Sequence, residues 1–178
     1  VKIKTPYSER SDSDKVFANW SKTIALYEQN EFSMAVVRAA VTIELAANLV
    51  VRAELISKRK LEPDFVEHLL RWANGLANKI THFITPLLQG DPDFDTLSDI
   101  LKLAQKISSS RNSVAHSGHF ITKGNSLKLI TDAHQVLTEL IGRYVNGFEI
   151  GLTSRDQVII KSGKKSKKKR LFTFTEEL

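Results

Sequence analysis

"AVVRAAVTIELAANLVV", Ala35–Val51, is the stretch on which the fold turns. The wider apolar run from Met34 to Ile56 is interrupted by Arg38, Glu44, Asn48 and Arg52. A charge held at mid-bilayer depth costs about 3 kcal/mol, so the run reads as a buried helix and not as a membrane span. It is apolar almost all round, which places it at the centre of a bundle, over roughly residues 31–58.

Working outward, "SDSDK" supplies Ser and Asp caps, and Val16, Phe17, Trp20, Ile24 and Tyr27 recur at helical spacing. That predicts a first helix over roughly 13–29. Beyond the central run, Pro63 takes a first-turn position and opens a helix with Phe65, Leu69, Trp72 and Leu76 on one face. The Asn74-Gly75 pair is a candidate break before Ile80, Phe83 and Ile84 resume the pattern.

"PLLQGDPDFD" is read as a loop ending in caps, after which Leu97, Ile100, Leu101, Ala104 and Ile107 mark a fourth helix. A second loop, "GHFITKGNS", precedes a fifth helix carrying Ile130, Ala133, Leu137, Leu140 and Tyr144. The expectation is an all-α antiparallel bundle of about five helices with short connections. "QVII" and "LFTFT" are β-type runs, so Gln157–Thr175 is either a small hairpin with a lysine-rich turn or a solvated tail.

The chain therefore divides into an N-terminal extension (1–12), the bundle (13–148) and a basic extension (149–178). Its 178 residues can bury a core without staples, and only eight Gly and four Pro argue against disorder. The absence of cysteine rules out disulfides and thiolate metal sites and suits a cytoplasmic protein. "VKIKTPYSER" lacks the pattern of a secretory signal, and Val1 in place of Met fits a piece of a longer chain.

The formal charge of +6 belongs to one segment. Of 26 basic residues, seven lie in Lys161–Arg170, leaving 19 against 20 acidic residues elsewhere. Lys164, Lys165, Lys167, Lys168, Lys169 and Arg170 can capture RNA by releasing counterions, or serve solubility or an acidic partner. No aromatic residue is interleaved among them, which argues against base stacking there.

Several sites are excluded by their residues. Asp91, Asp93 and Asp95 have calcium-loop spacing, but Thr96 and Lys102 stand where that loop needs Gly and Glu, so capping is the better reading. "SGKKS" lacks the glycine-rich lead of a phosphate loop. His116, His119 and His134 do not fit a standard zinc pattern, and no cofactor or metal is expected.

"RNSVAHSGHF", Arg111–Phe120, is different. On an ideal helix Arg111 and His116 diverge by about 140°, whereas Asn112 and His116 share a face, so the Asn amide could hold the imidazole. Either Arg111 and His116 act separately, as an ion pair and a helix-end residue, or the helix is distorted, or two subunits build the site. Glu44, Asn48 and Arg52 form a polar ridge that either orients the motif or satisfies itself as ion pairs.

"RNSVAH" followed by Ser-Gly, a polar loop and "LKLITDAHQVLTEL" resembles the HEPN superfamily, whose signature is Arg, four to six residues, then His, often with a polar residue after the Arg. The apolar run with its internal Glu44 is similar to the long helix of that family, and the similarity covers about residues 13–148. The resemblance implies a helical homodimer whose two motifs face one cleft. It also implies metal-independent RNA cleavage, in toxin–antitoxin, abortive-infection or other defence systems.

On that resemblance Arg111, Asn112 and His116 are the catalytic candidates, with Glu44, Asn48 and His119 as possible supports. The partners implied are RNA, a second copy, and an antitoxin or a larger defence protein. The alternative is a non-catalytic HEPN-like module that dimerises and binds a nucleotide or RNA as a sensor.

Overall fold

The computed structural model describes residues 6–153, and these form an all-α bundle. Helix α1, Asp12–Glu28, starts at Ser11, whose hydroxyl accepts from the Asp14 amide at 3.1 Å. That bond satisfies one of the free first-turn donors, and Asp12 and Asp14 complement the positive helix end. Asn30 takes a left-handed turn (φ 63°) and α2, Phe32–Arg52, folds back against α1.

Helix α2 is the axis of the molecule. Val36, Ala39, Ile43, Ala46, Ala47 and Val50 are fully buried, and α1, α6 and α7 pack around it. The many alanines bring neighbouring backbones close, while Trp20, Ile24, Leu137 and Ile141 fill the space between helices. Past Arg52 the helix widens into a π-type turn over Ala53–Lys58.

Helix α3, Pro63–Trp72, starts on its proline as expected, and the chain breaks at Gly75 (φ 85°) before α4, Leu76–Lys79. A left-handed φ is cheap only for glycine, so the break is written into the residue. The expected face of α3 holds only in part: Leu76 is buried and Leu69 packs against the core, but its two aromatic residues do not. Val66, Leu70 and Ala73 are buried, whereas Phe65 is 52% and Trp72 65% exposed. The helix is turned so that its smaller apolar residues meet the core, and Trp72 lies across His82 and Phe83 on the outside.

A second π-type segment, Ile80–Ile84, leads into the short α5, Thr85–Leu88. The expected aspartate caps of the next helix are put to another use. Asp93 stands at the N-cap of α6 without a side-chain cap bond, and Asp91 and Asp93 both pair with Arg143 beyond α7. A bidentate cation tied to two carboxylates clamps one end of the α6/α7 pair.

Helix α6, Phe94–Ser117, and helix α7, Lys123–Gly142, are joined by the loop 118–122. Packing continues past position 148: Phe148 and Ile150 are buried, Trp20 Nε1 donates to the Gly151 carbonyl at 2.7 Å, and His134 Nε2 lies 2.9 Å from the Ile150 carbonyl. The proposed hairpin at 157–175 lies outside the described residues.

Candidate functional site

Helix α6 has two parts. From Leu97 to Ile107 it buries Leu97, Ile100, Leu101, Ala104 and Ile107, and beyond Ile107 not one of its residues is buried. A short isolated helix is marginal in water, but extending one already nucleated adds a hydrogen bond for each residue fixed. Ser109, Ser110 and Ser113 donate to the carbonyls four residues back at 3.1, 3.1 and 3.2 Å, which satisfies their hydroxyls within the helix.

The extension stops at Gly118, whose φ of 62° ends the helix, with the His119 amide donating to the Ser113 carbonyl at 3.3 Å. From Arg111 to Ser117 the projecting segment spans about 10 Å. It carries the whole Arg-to-His motif.

Because the segment is regular α-helix, Arg111 and His116 diverge by about 140° within one chain. Of the routes considered for joining them, helix distortion is absent. Arg111 lies on the line of the core face, one turn past Ile107, and is half-buried, whereas Asn112 and His116 are exposed. The Arg111 Nη1 donates to Asn112 Oδ1 at 3.0 Å, and among the described residues no carboxylate pairs with it. Asn112 thus holds the arginine, whereas its four-residue spacing had pointed to the imidazole of His116.

The supporting candidates are arranged otherwise. Glu44 receives the buried Lys79 ammonium at 2.7 Å, tying α2 to α4. Arg52 joins three helices through Glu67 at 2.5 Å and Asp12 at 2.8 Å, and the Glu67 hydrogen bond leads the effects that push its pKa up. Asn48 Oδ1 is buried with no hydrogen-bond partner. The ridge is therefore matched mainly by bundle residues and makes no hydrogen bond to Arg111 or His116 among the described residues.

Below the ridge is a polar cluster that sequence reading did not single out. Glu54, 2% exposed, receives Lys58 at 2.6 Å, Tyr144 Oη at 2.7 Å and Arg59. Burial alone would raise the Glu54 pKa, but the hydrogen bonds from Lys58, Tyr144 and Arg59 outweigh it and hold the carboxyl below its ordinary range. Burial first, and then the Glu54 hydrogen bond, push the Tyr144 phenol far up. All its charges are matched, as a structural cluster requires.

His119 falls in a groove between α6 and α7, a cavity of about 410 Å³. Lys106, Ser110 and Ser113 of α6 face Asn125 and Lys128 of α7 across it. Nothing in the local pattern marks Lys106 and Lys128 as neighbours; the packing of α6 on α7 brings them together. His134 is turned away to Ile150 and Trp20, and no group of three His, Asp or Glu residues is gathered at metal-binding distance among the described residues.

The basic residues Lys164, Lys165, Lys167, Lys168, Lys169 and Arg170 lie outside the described residues. Comparison of the chain with protein-family models, with curated proteins and with solved structures gives no match.

Proposed function

We propose that this chain is a metal-independent endoribonuclease of the HEPN type, acting as a homodimer in the cytoplasm. RNA can be cut by its own 2′-hydroxyl: a base removes that proton, the oxygen attacks phosphorus, and an acid protonates the departing 5′-oxygen. The products are a 2′,3′-cyclic phosphate and a 5′-hydroxyl. In this reading one His116 is the base, the His116 of a second copy is the acid, and Arg111 donates to the phosphate oxygens as charge develops. Asn112 positions Arg111.

The observation that carries the proposal is the projecting end of α6, which presents a half-buried arginine without a carboxylate partner and an exposed histidine on a rigid helix. Two further features support a second copy. The helix is undistorted, so Arg111 and His116 leave it in divergent directions, and among the described residues no hydrogen bond links their side chains. Phe120 is 88% exposed beside the motif, and Met34 48%, on segments joined where the Ile121 amide donates to Ser33 Oγ at 2.9 Å. Exposed apolar groups next to a half-built site fit a twofold contact.

The setting implied by the motif is toxin–antitoxin or antiviral defence, with an antitoxin or a larger defence protein as regulator. The lysine-rich segment 161–170 would raise the local concentration of RNA.

The test is cleavage of RNA in EDTA. Wild-type protein is expected to release fragments ending in cyclic phosphate, and His116→Ala to lose activity by about 100-fold or more. Undiminished cleavage by the variant removes the assigned role. A second reading is favoured by one observation: His116 has no hydrogen-bond partner among the described residues to fix its tautomer. On that reading the module dimerises and binds RNA or a nucleotide without cutting it.

A further inference from the structure

The groove between α6 and α7 has a composition that the folding of the bundle does not require. Lys106 and Lys128 face each other across an open cavity of about 410 Å³, with Ser110, Ser113, Asn125 and His119 as further polar groups. That volume lies in the usual range for small-ligand sites. Lys128 makes no ion pair among the described residues, and the Lys106 ammonium reaches the nearest carboxylate, Asp132, only at 3.5 Å.

Both lysines line the same cavity and Asp132 is the one carboxylate paired with either among the described residues, so the lining keeps a net positive charge that an anion would offset. The adjoining end of α7 adds to the field. Its first turn holds Lys123 and no acid, and its free amides contribute partial positive charge. The Ser110 and Ser113 hydroxyls already donate to their own helix, leaving the lysines and the Asn125 amide as the donors for a ligand.

The groove also has a direction. Ser113 and His116 are three residues apart on one helical face, so the lining runs toward His116, while Arg111 points about 100° away from Ser110. Ile121 and Leu129 give the lining an apolar part that suits the sugar or base of a nucleotide better than a bare inorganic ion.

We propose that this groove is a phosphate-ester site which holds the RNA strand next to the cleavage position, on the His116 side of α6. The proposal rests on the ribonuclease reading for its ligand. It differs from that reading in its residues: Lys106 and Lys128 grip a neighbouring phosphate and take no part in proton transfer.

The experiment uses the full chain and a fluorescent single-stranded RNA with 2′-O-methyl riboses, which cannot be cleaved by its own hydroxyl. Binding is measured against salt for wild type, Lys106→Ala/Lys128→Ala, and a control with the same charge loss, Lys22→Ala/Lys102→Ala. All four lysines are exposed, so none of the changes should unfold the bundle. The groove variant is expected to bind about tenfold more weakly with a log–log salt slope shallower by about 1.4, against a smaller change in the control.

Equal losses in both variants, or none in either, overturn the proposal. Lysine-dependent binding of AMP without binding of the oligonucleotide also overturns it, and assigns the groove to a free nucleotide. Cleavage of ordinary RNA separates the two readings. Wild-type protein that binds through the groove but never cuts keeps this site and removes the nuclease, whereas cutting with no loss in the groove variant does the reverse.

Discussion

The middle of α2 and the far end of α6 are both helix, yet they are held in opposite ways. Around Ile43 every turn is enclosed by α1, α6 and α7, whereas beyond Ile107 the helix of α6 continues with no buried residue. The first is stabilised by removing apolar surface from water, and the second by growth from a packed stem. The Arg-to-His motif sits on the second. A helix that grows from a packed stem holds its side chains without surrounding them, which on the proposed function leaves room for a substrate and for another protomer.

The contrast is broken most severely in α2. Ile43→Ala should cost about 2–5 kcal/mol, because it leaves a cavity among side chains that cannot collapse into it. Thermal or urea unfolding would show it, and a cost under 1 kcal/mol would mean that α2 is not the tightly packed axis described.

Glu54→Gln comes next, at about 1–3 kcal/mol at pH 7, through weaker hydrogen bonds from Lys58, Tyr144 and Arg59. Its sign with pH is fixed. The folded pKa of Glu54 is depressed, so its contribution is present above about pH 4.5 and is lost as pH falls through the folded value. Melts at pH 7 and pH 3 should therefore show the wild-type and variant stabilities converging in acid. Tyr144 and Tyr27 have raised pKa values, so stability should also decline as pH climbs above about 10, where the unfolded chain ionises first.

Gly118→Ala should cost about 1 kcal/mol. The space for a methyl group is open, but φ 62° is strained for any residue with a Cβ. Its effect should be local, fraying the last turn around His116, which amide exchange of residues 113–119 would report.

Phe120→Ser should change protomer stability least, by under about 0.5 kcal/mol, because the ring is 88% exposed. On the proposed function it should nevertheless weaken the dimer, seen as a shift toward monomer in sedimentation. An unchanged dimer would remove Phe120 from the contact.

Long periodic runs made most of this legible in advance. The apolar stretch of α2, the Ser11 cap, Pro63, Gly75 and Gly118 act within a few residues of themselves, so their positions in the sequence fix the ends and breaks of the helices. What was not legible depends on partners distant in the chain. Asp91 and Asp93 look like caps until Arg143 arrives from beyond α7, and Phe65 and Trp72 look buried because they are the largest apolar residues of α3. The groove had no signal at all, since Lys106 and Lys128 are ordinary surface lysines until two helices pack. Of the motif, the divergence of Arg111 and His116 was readable from helical geometry, but the choice of Arg111 by Asn112 was not.

The central claim is that two chains build one cleavage site, and mixing tests it most directly. Wild-type and His116→Ala chains are unfolded together, refolded so that protomers exchange, and assayed for RNA cleavage in EDTA across a range of ratios. If each cleft needs a histidine from both copies, activity follows the square of the wild-type fraction and falls to about a quarter at equal amounts. A linear decline, with half the activity remaining, would contradict the account, as would a wild-type protein that cuts no RNA.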